Sequence, residues 1–153
     1  MITKDKIIKV LATGFGAGLS PVMPGTAGTL LGVLICLAFL PLPWIFRLFF
    51  TIVLTAAAIY VSHRAEEIYQ KKDDQRIVID EIAGFLLAML PVAINFLNLA
   101  LAFVLFRMFD IWKPYPLRKF QEFPSGWGVV ADDIGAGIYA AAILILFNFF
   151  VKF

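Results

Sequence analysis

Ile82-Ala-Gly-Phe-Leu-Leu-Ala-Met-Leu-Pro-Val-Ala-Ile-Asn-Phe-Leu-Asn-Leu-Ala-Leu-Ala-Phe-Val-Leu-Phe106 decides the fold, because it can be read in two ways. As one straight helix it crosses a bilayer, its ends roughly 35 Å apart. Broken near Pro91–Asn98, it becomes a hairpin whose ends return to one side, at the expense of short helices. The flanking charges choose between them. Lys4, Lys6 and Lys9 give three positive charges, Arg64, Lys71, Lys72 and Arg76 four, and Arg107, Lys113, Arg118 and Lys119 four more. In the hairpin all of these lie on one side, against Arg47 and Lys152 on the other, as the excess of Lys and Arg on cytoplasmic loops requires. A single helix would split the same charges almost evenly. The hairpin is the expected structure.

Outward from this hairpin, the apolar stretch Thr29–Ser62 is interrupted by Pro41, Pro43 and Arg47. Two helices around a tight turn at Pro41–Pro43 fit it better than one helix of about 50 Å. Ile7–Thr13 reads as a short surface helix, and Gly14–Gly28, with Pro21 and Pro24, as an irregular loop. His63–Arg76 reads as a water-exposed connection. Arg107–Ser125 is a polar stretch, and Val129–Val151 a last apolar helix. The fold expected is all-α: a small polytopic helical membrane protein with short, hairpin-paired membrane helices and an acidic site at headgroup level, in a single domain over 1–153.

Composition supports the class. Of 153 residues, 61% are hydrophobic and 16% charged, with a mean hydropathy of +0.90. Soluble domains carry about 45–50% apolar residues, and a chain of 17.0 kDa has too little interior to hide the excess from water. A net charge of +2, with no basic run interleaved with aromatics, excludes a nucleic-acid partner. The lone Cys36, in an apolar run, permits no disulfide within the chain and suits an inert buried thiol. No cleaved signal peptide is expected, because Gly14, Gly16 and Gly18 break the short apolar stretch after the basic start.

Acidic residues number only 11, and their placement is informative. Asp80 and Glu81 open the hairpin, Asp110 closes it, and Asp132 and Asp133 stand at the start of the last helix. The hairpin brings all five near one membrane face, where ionisable groups are costly and usually functional. Asp80 with Glu81, and Asp132 with Asp133, could merely complement helix dipoles. Asp110 near a helix C-terminus opposes its dipole, although Arg107 or Lys113 could neutralise it as an i±3 pair. Convergence of three acidic sites beside clustered cations is harder to assign to capping. Carboxylates without nearby His or Cys suit Mg²⁺, which takes oxygen ligands, waters and substrate phosphate. His63 and Cys36 cannot make a zinc site. Arg107 and Lys113 are candidate phosphate ligands, with Arg118 and Lys119 equally suited to anionic headgroups. Gly25 and Thr26, in Pro24-Gly-Thr-Ala-Gly-Thr, could present backbone amides and a hydroxyl to phosphate at a helix start, or simply form a Thr-capped turn.

Taken together, Ala12-Thr-Gly-Phe-Gly-Ala-Gly-Leu-Ser-Pro, Pro24-Gly-Thr-Ala-Gly-Thr, Val78-Ile-Asp-Glu-Ile-Ala-Gly, Phe106-Arg-Met-Phe-Asp-Ile-Trp-Lys-Pro-Tyr-Pro and Asp132-Asp-Ile-Gly-Ala-Gly resemble the phosphatidylglycerophosphatase A family. The resemblance covers roughly residues 10–140, with the motifs in the family's order. It implies a Mg²⁺-dependent enzyme of the bacterial cytoplasmic membrane that hydrolyses the phosphomonoester of phosphatidylglycerophosphate to phosphatidylglycerol. It also implies that Asp80, Glu81, Asp110, Asp132 and Asp133 are the acidic motif positions, and Lys113-Pro114 the basic one. Phe85 stands where the family often has a bulky polar residue.

The chemistry expected is metal-assisted hydrolysis. Magnesium would be held among Asp80, Glu81, Asp110 and Asp133, a remaining carboxylate would act on water, and Arg107 and Lys113 would hold phosphate oxygens. An aspartyl-phosphate route stays open, and oligomeric state is not legible. Pro124-Ser-Gly-Trp lacks the His of acid-phosphatase-like lipid phosphatases, and the spaced Asp motif of CDP-alcohol phosphotransferases is absent. A small transporter or scaffold with cation-binding carboxylates is the alternative of a different class. A proton path, however, would place acids at mid-membrane depth rather than at segment ends.

Overall fold

Prolines, glycines and charges set where each helix begins and stops. The computed structural model describes residues 4–124 and 126–151 and is all-helical over them. Its helices are α1 (Lys4–Ala12), α2 (Pro24–Ala38), α3 (Trp44–Tyr69), α4 (Ile79–Met89), α5 (Phe96–Trp112), α6 (Leu117–Phe120) and α7 (Gly126–Val151), with a 3₁₀ turn at Ala17–Leu19. Ser125, at the end of the expected polar stretch, and Lys152, counted above on the far side, lie outside the described residues.

The hairpin forms as the charges require. Pro91 cannot extend α4, and Asn95 restarts the chain as α5, its side-chain oxygen accepting the Asn98 amide at 2.8 Å. The α4 and α5 helices, of 11 and 17 residues, are about 16 and 25 Å long. Pro41–Pro43 likewise separates α2 from α3.

Several boundaries differ from expectation, α5 among them: it runs on to Trp112, into the stretch expected to be a polar connection from Arg107. Helix α2 starts at Pro24, inside the segment expected as loop, because a proline is favoured at the first helical position and its missing N–H is no loss there. Helix α3 runs past Ser62 to Tyr69 and absorbs half of the expected connection. His63-Arg64-Ala65-Glu66-Glu67 favours helix, and Glu67 pairs with Arg64 and, at 3.6 Å, with His63. Helix α7 starts at Gly126 rather than Val129.

Helix α7 is the centre of the bundle and packs on α3, α4 and α5. Close approach to α4 depends on two glycines. A Cβ on Gly84 would lie 2.6 Å from the Asp133 carbonyl oxygen, and one on Gly137 would run into the backbone of Gly84. Phe85, Met89, Phe106 and Leu144 fill the core below, with the Phe85 and Phe106 rings edge to face at 6.2 Å. At the far end Asn98 and Asn148 exchange amide hydrogen bonds of 3.0 and 3.2 Å, so neither buries an unsatisfied amide.

The outer surface identifies the solvent. Helices α3 and α7 have 26 residues each, about 39 Å, yet only 22% and 28% of their most apolar windows are buried. Phe46, Phe49 and Ile52 of α3 and Ile145, Phe149 and Phe150 of α7 face outward. An apolar helix this exposed is not the core of a soluble protein, and the chain is a helical membrane protein.

Candidate active site

Four elements converge on a cavity of about 390 Å³. The first turn of α4 supplies Asp80 and Glu81, the last turns of α5 supply Arg107 and Asp110, and Lys113 caps α5. Asp132 and Asp133 enter from the second turn of α7, and Gly25 from the start of α2. The hairpin makes this possible: α4 begins and α5 ends on the same side, where α7 also begins.

The carboxylates fall into two groups. Asp80, Glu81 and Asp133 each offer an oxygen within 4.8 Å of the other two. Asp110 stands apart from that trio and accepts Arg107 Nη1 at 2.5 Å; the same nitrogen lies 3.9 Å from Glu81 Oε1. Asp132 accepts the Lys113 ammonium. Burial lowers the pKa of that ammonium, but the Asp132 carboxylate, with Asp133 and Asp110 beyond it, outweighs burial and leaves it raised, so Lys113 stays charged.

Several buried atoms are left without partners among the described residues: Asp80 Oδ1, Glu81 Oε2, Asp132 Oδ1, Asp133 Oδ1 and Arg107 Nε. Buried polar groups are nearly always hydrogen-bonded, so this concentration in one cavity marks a place built for something else to complete. An all-oxygen donor set with no His or Cys matches Mg²⁺. The trio therefore fits the ion by donor chemistry and by its unmatched oxygens.

Gly25 is part of this geometry. A Cβ there would run into Glu81 Oε1 and lie 2.9 Å from Arg107 Nη1, so a larger residue would push the ends of both side chains out of their present places. Thr26 does not line the cavity: its Oγ1 is buried without a hydrogen bond, while Thr29 donates to the Gly25 carbonyl at 2.9 Å. Arg118 and Lys119, in α6, also lie away from the cavity and are exposed.

Sequence reasoning missed Met23, Asp73, Gln75, Ile77 and Val129, all of which line the cavity. Met23, Asp73 and Lys113 have left-handed φ angles of 52°, 51° and 47°. A left-handed backbone is sparsely populated by residues other than glycine, and such conformations cluster at functional sites. The signal in the sequence was faint: Asp73 is one polar residue in a polar loop.

Residues 10–148 match the family profile described as Phosphatidylglycerophosphatase A. The chain belongs to this family. It is 37% identical over 139 residues to the phosphatidylglycerophosphatase A of Escherichia coli K12, covering 88% of this chain and 80% of the relative. Identity to the Haemophilus influenzae Rd phosphatidylglycerophosphatase A is 34% over 148 residues, 94% of this chain and 90% of the relative. A Bacteroides thetaiotaomicron protein named, provisionally, as a phosphatidylinositol-3-phosphatase is 38% identical over 143 residues, 88% of this chain and 89% of the relative. No solved structure matches the chain significantly. All of the acidic positions described above lie within the stretch that the family shares.

Proposed function

We propose that this protein hydrolyses the phosphomonoester of phosphatidylglycerophosphate to phosphatidylglycerol and inorganic phosphate, from the cytoplasmic face of a bacterial cytoplasmic membrane. The observation that carries this reading is the meeting of a carboxylate trio, two of its members buried, with two cations in one cavity, in a chain of this family. The eleven basic residues on the same side of the hairpin support the orientation.

Asp80, Glu81 and Asp133 would hold Mg²⁺. When bound, such an ion supplies neutralisation of the charge that grows on phosphate oxygens. The remaining work belongs to side chains. Arg107 and Lys113 offer guanidinium and ammonium groups to the phosphate, exchanging part of their contact with Asp110 and Asp132 for substrate oxygens. Asp110 thus orients Arg107. Asp132 keeps one oxygen on Lys113 and has the other without a hydrogen bond, and we assign it the proton taken from the attacking water. Water oxygen bonds to phosphorus, the bond from phosphorus to the glycerol oxygen breaks, and that oxygen takes a proton from solvent water to leave as the alcohol of phosphatidylglycerol, while Asp132 returns its proton to solvent. Gly25 keeps the start of α2 close to the phosphate; the Thr26 and Ala27 amides beside it already donate to the Met23 carbonyl, at 3.0 and 3.2 Å.

The provisional name of the Bacteroides relative favours a second lipid, phosphatidylinositol-3-phosphate. Both lipids carry a phosphomonoester with a hydroxyl on the adjacent carbon. Purified protein reconstituted in vesicles separates them: phosphate release with phosphatidylglycerol as product supports the primary reading. Release from the inositol lipid alone supports the second, and release from neither would sink both.

A further inference from the structure

Asp73 is the residue at this cavity that phosphate chemistry leaves unexplained. Arg107 and Lys113 are paired with carboxylates and are suited to an anion, but Asp73 is exposed and takes part in no ion pair among the described residues. Neighbouring Lys72 does not neutralise it, because the Lys72 ammonium donates to the Gln121 carbonyl at 3.0 Å. A bare carboxylate at the mouth of a phosphate site, outside the trio that would hold the cation, repels the anion and suits a part of the substrate that donates a hydrogen bond.

Its position is also fixed rather than loose. The Asp73 N–H donates to the buried Glu66 Oε1 at 2.8 Å, and Gln121 Nε2 donates to Asp73 Oδ2 at 3.4 Å. These contacts hold a non-glycine residue at a φ of 51°, an unfavourable backbone maintained where the residue forms part of the wall of the cavity. Asp73 and Val129 also line a side pocket of about 220 Å³ with Lys72, Gln121 and Gly128, so there is room beside the phosphate cavity for the rest of a headgroup.

Resting on the phosphatase reading given above, we infer that Asp73 accepts a hydrogen bond from the hydroxyl on the carbon next to the scissile phosphomonoester. It thereby selects lipids with such a hydroxyl over those without one. Asp73 is a specificity residue, outside the bond-breaking machinery.

Comparison of kcat/KM for wild type and Asp73→Gly, on phosphatidylglycerophosphate and on its analogue lacking the glycerol hydroxyl, tests this. Glycine takes the left-handed backbone without strain. Removing the carboxylate alone, or the hydroxyl alone, is expected to lower kcat/KM about tenfold, and removing both should lower it no further. Losses that multiply to about a hundredfold would overturn the inference, as would an Asp73→Gly enzyme unchanged on the hydroxylated lipid. Asp73→Asn, which tolerates the same backbone and keeps a neutral acceptor, should fall between, and it carries the comparison if the glycine variant loses its thermal transition. Phosphatidylinositol-3-phosphate distinguishes the hydroxyl's source: cleavage sensitive to Asp73→Gly means that either headgroup is read, and wild type inert on it means that glycerol alone is. Wild type releasing phosphate from no lipid would overturn the phosphatase reading and this inference with it.

Discussion

Single residues in this cavity do distinct work, and their replacement should fail in distinct ways. Gly25→Ala forces a methyl group against Glu81 and Arg107, so phosphate release should fall at least about tenfold while thermal stability changes by only ~1–2 kcal/mol. Paired assays of activity and unfolding check this; unchanged activity would remove Gly25 from the site. Asp110→Asn takes the charge that orients Arg107, and kcat/KM should drop about a hundredfold with KM rising, because Arg107 remains but is no longer aimed. At this scale much could be read from sequence. The sparseness of acids in an apolar chain, and their position at segment ends, pointed to Asp80, Glu81, Asp110, Asp132 and Asp133. Asp73 could not be read so, since a left-handed backbone and a hydrogen bond to Glu66 are tertiary facts that residue type does not encode. Thr26 illustrates the converse: its motif suggested a phosphate ligand, and helical geometry turns it away from the cavity.

Between elements, the contact that matters most is α4 against α7, since it sets Asp133 beside Asp80 and Glu81. Gly84→Ala should push the two helices apart, lower the unfolding temperature by an amount equivalent to ~1–3 kcal/mol, and weaken activity further than stability alone explains. Full activity at lowered stability would show that the trio does not depend on that spacing. The loop between α3 and α4 has its own anchor. Hydrogen bonds from Arg76 to Asp74, at 2.7 and 3.0 Å, hold the Asp74 carboxyl below its ordinary pKa of 3.8. A depressed carboxylate contributes stability above its unfolded pKa and loses it as pH falls through the folded one. Wild type should therefore unfold at higher temperature than Asp74→Asn at neutral pH, and the gap should close below about pH 4. Element types were legible where proline or charge stood at a boundary, as at Pro41–Pro43 and Pro91. They were misjudged where apolar run length stood in for helix length. Helix α3 continues through His63–Tyr69 because those residues favour helix whether or not they are apolar, and α2 begins at Pro24 because proline suits a first turn.

The molecule as a whole is a bundle that trades span for a site. Helices α3 and α7 are long enough to cross a bilayer, while α4 and α5 fold back to return their charged ends to one face. In a Cys36→Ser background, single cysteines at Lys4, Lys72 and Arg118 should react with an impermeant thiol reagent only from the cytoplasmic side, and a cysteine at Leu40 only from the other. Reaction at Lys72 and Arg118 from opposite sides would refute the hairpin orientation. The proposed chemistry depends above all on the carboxylate trio holding a divalent cation for lipid phosphomonoester hydrolysis. Its most direct test is phosphate release from phosphatidylglycerophosphate in detergent, titrated with Mg²⁺ after EDTA treatment, for wild type and for Asp133→Asn verified as folded. Wild type should show saturable, Mg²⁺-restored release, and Asp133→Asn a loss of at least about a hundredfold that excess Mg²⁺ does not repair. Full activity in EDTA, or an Asp133→Asn enzyme with the Mg²⁺ response of wild type, would contradict it.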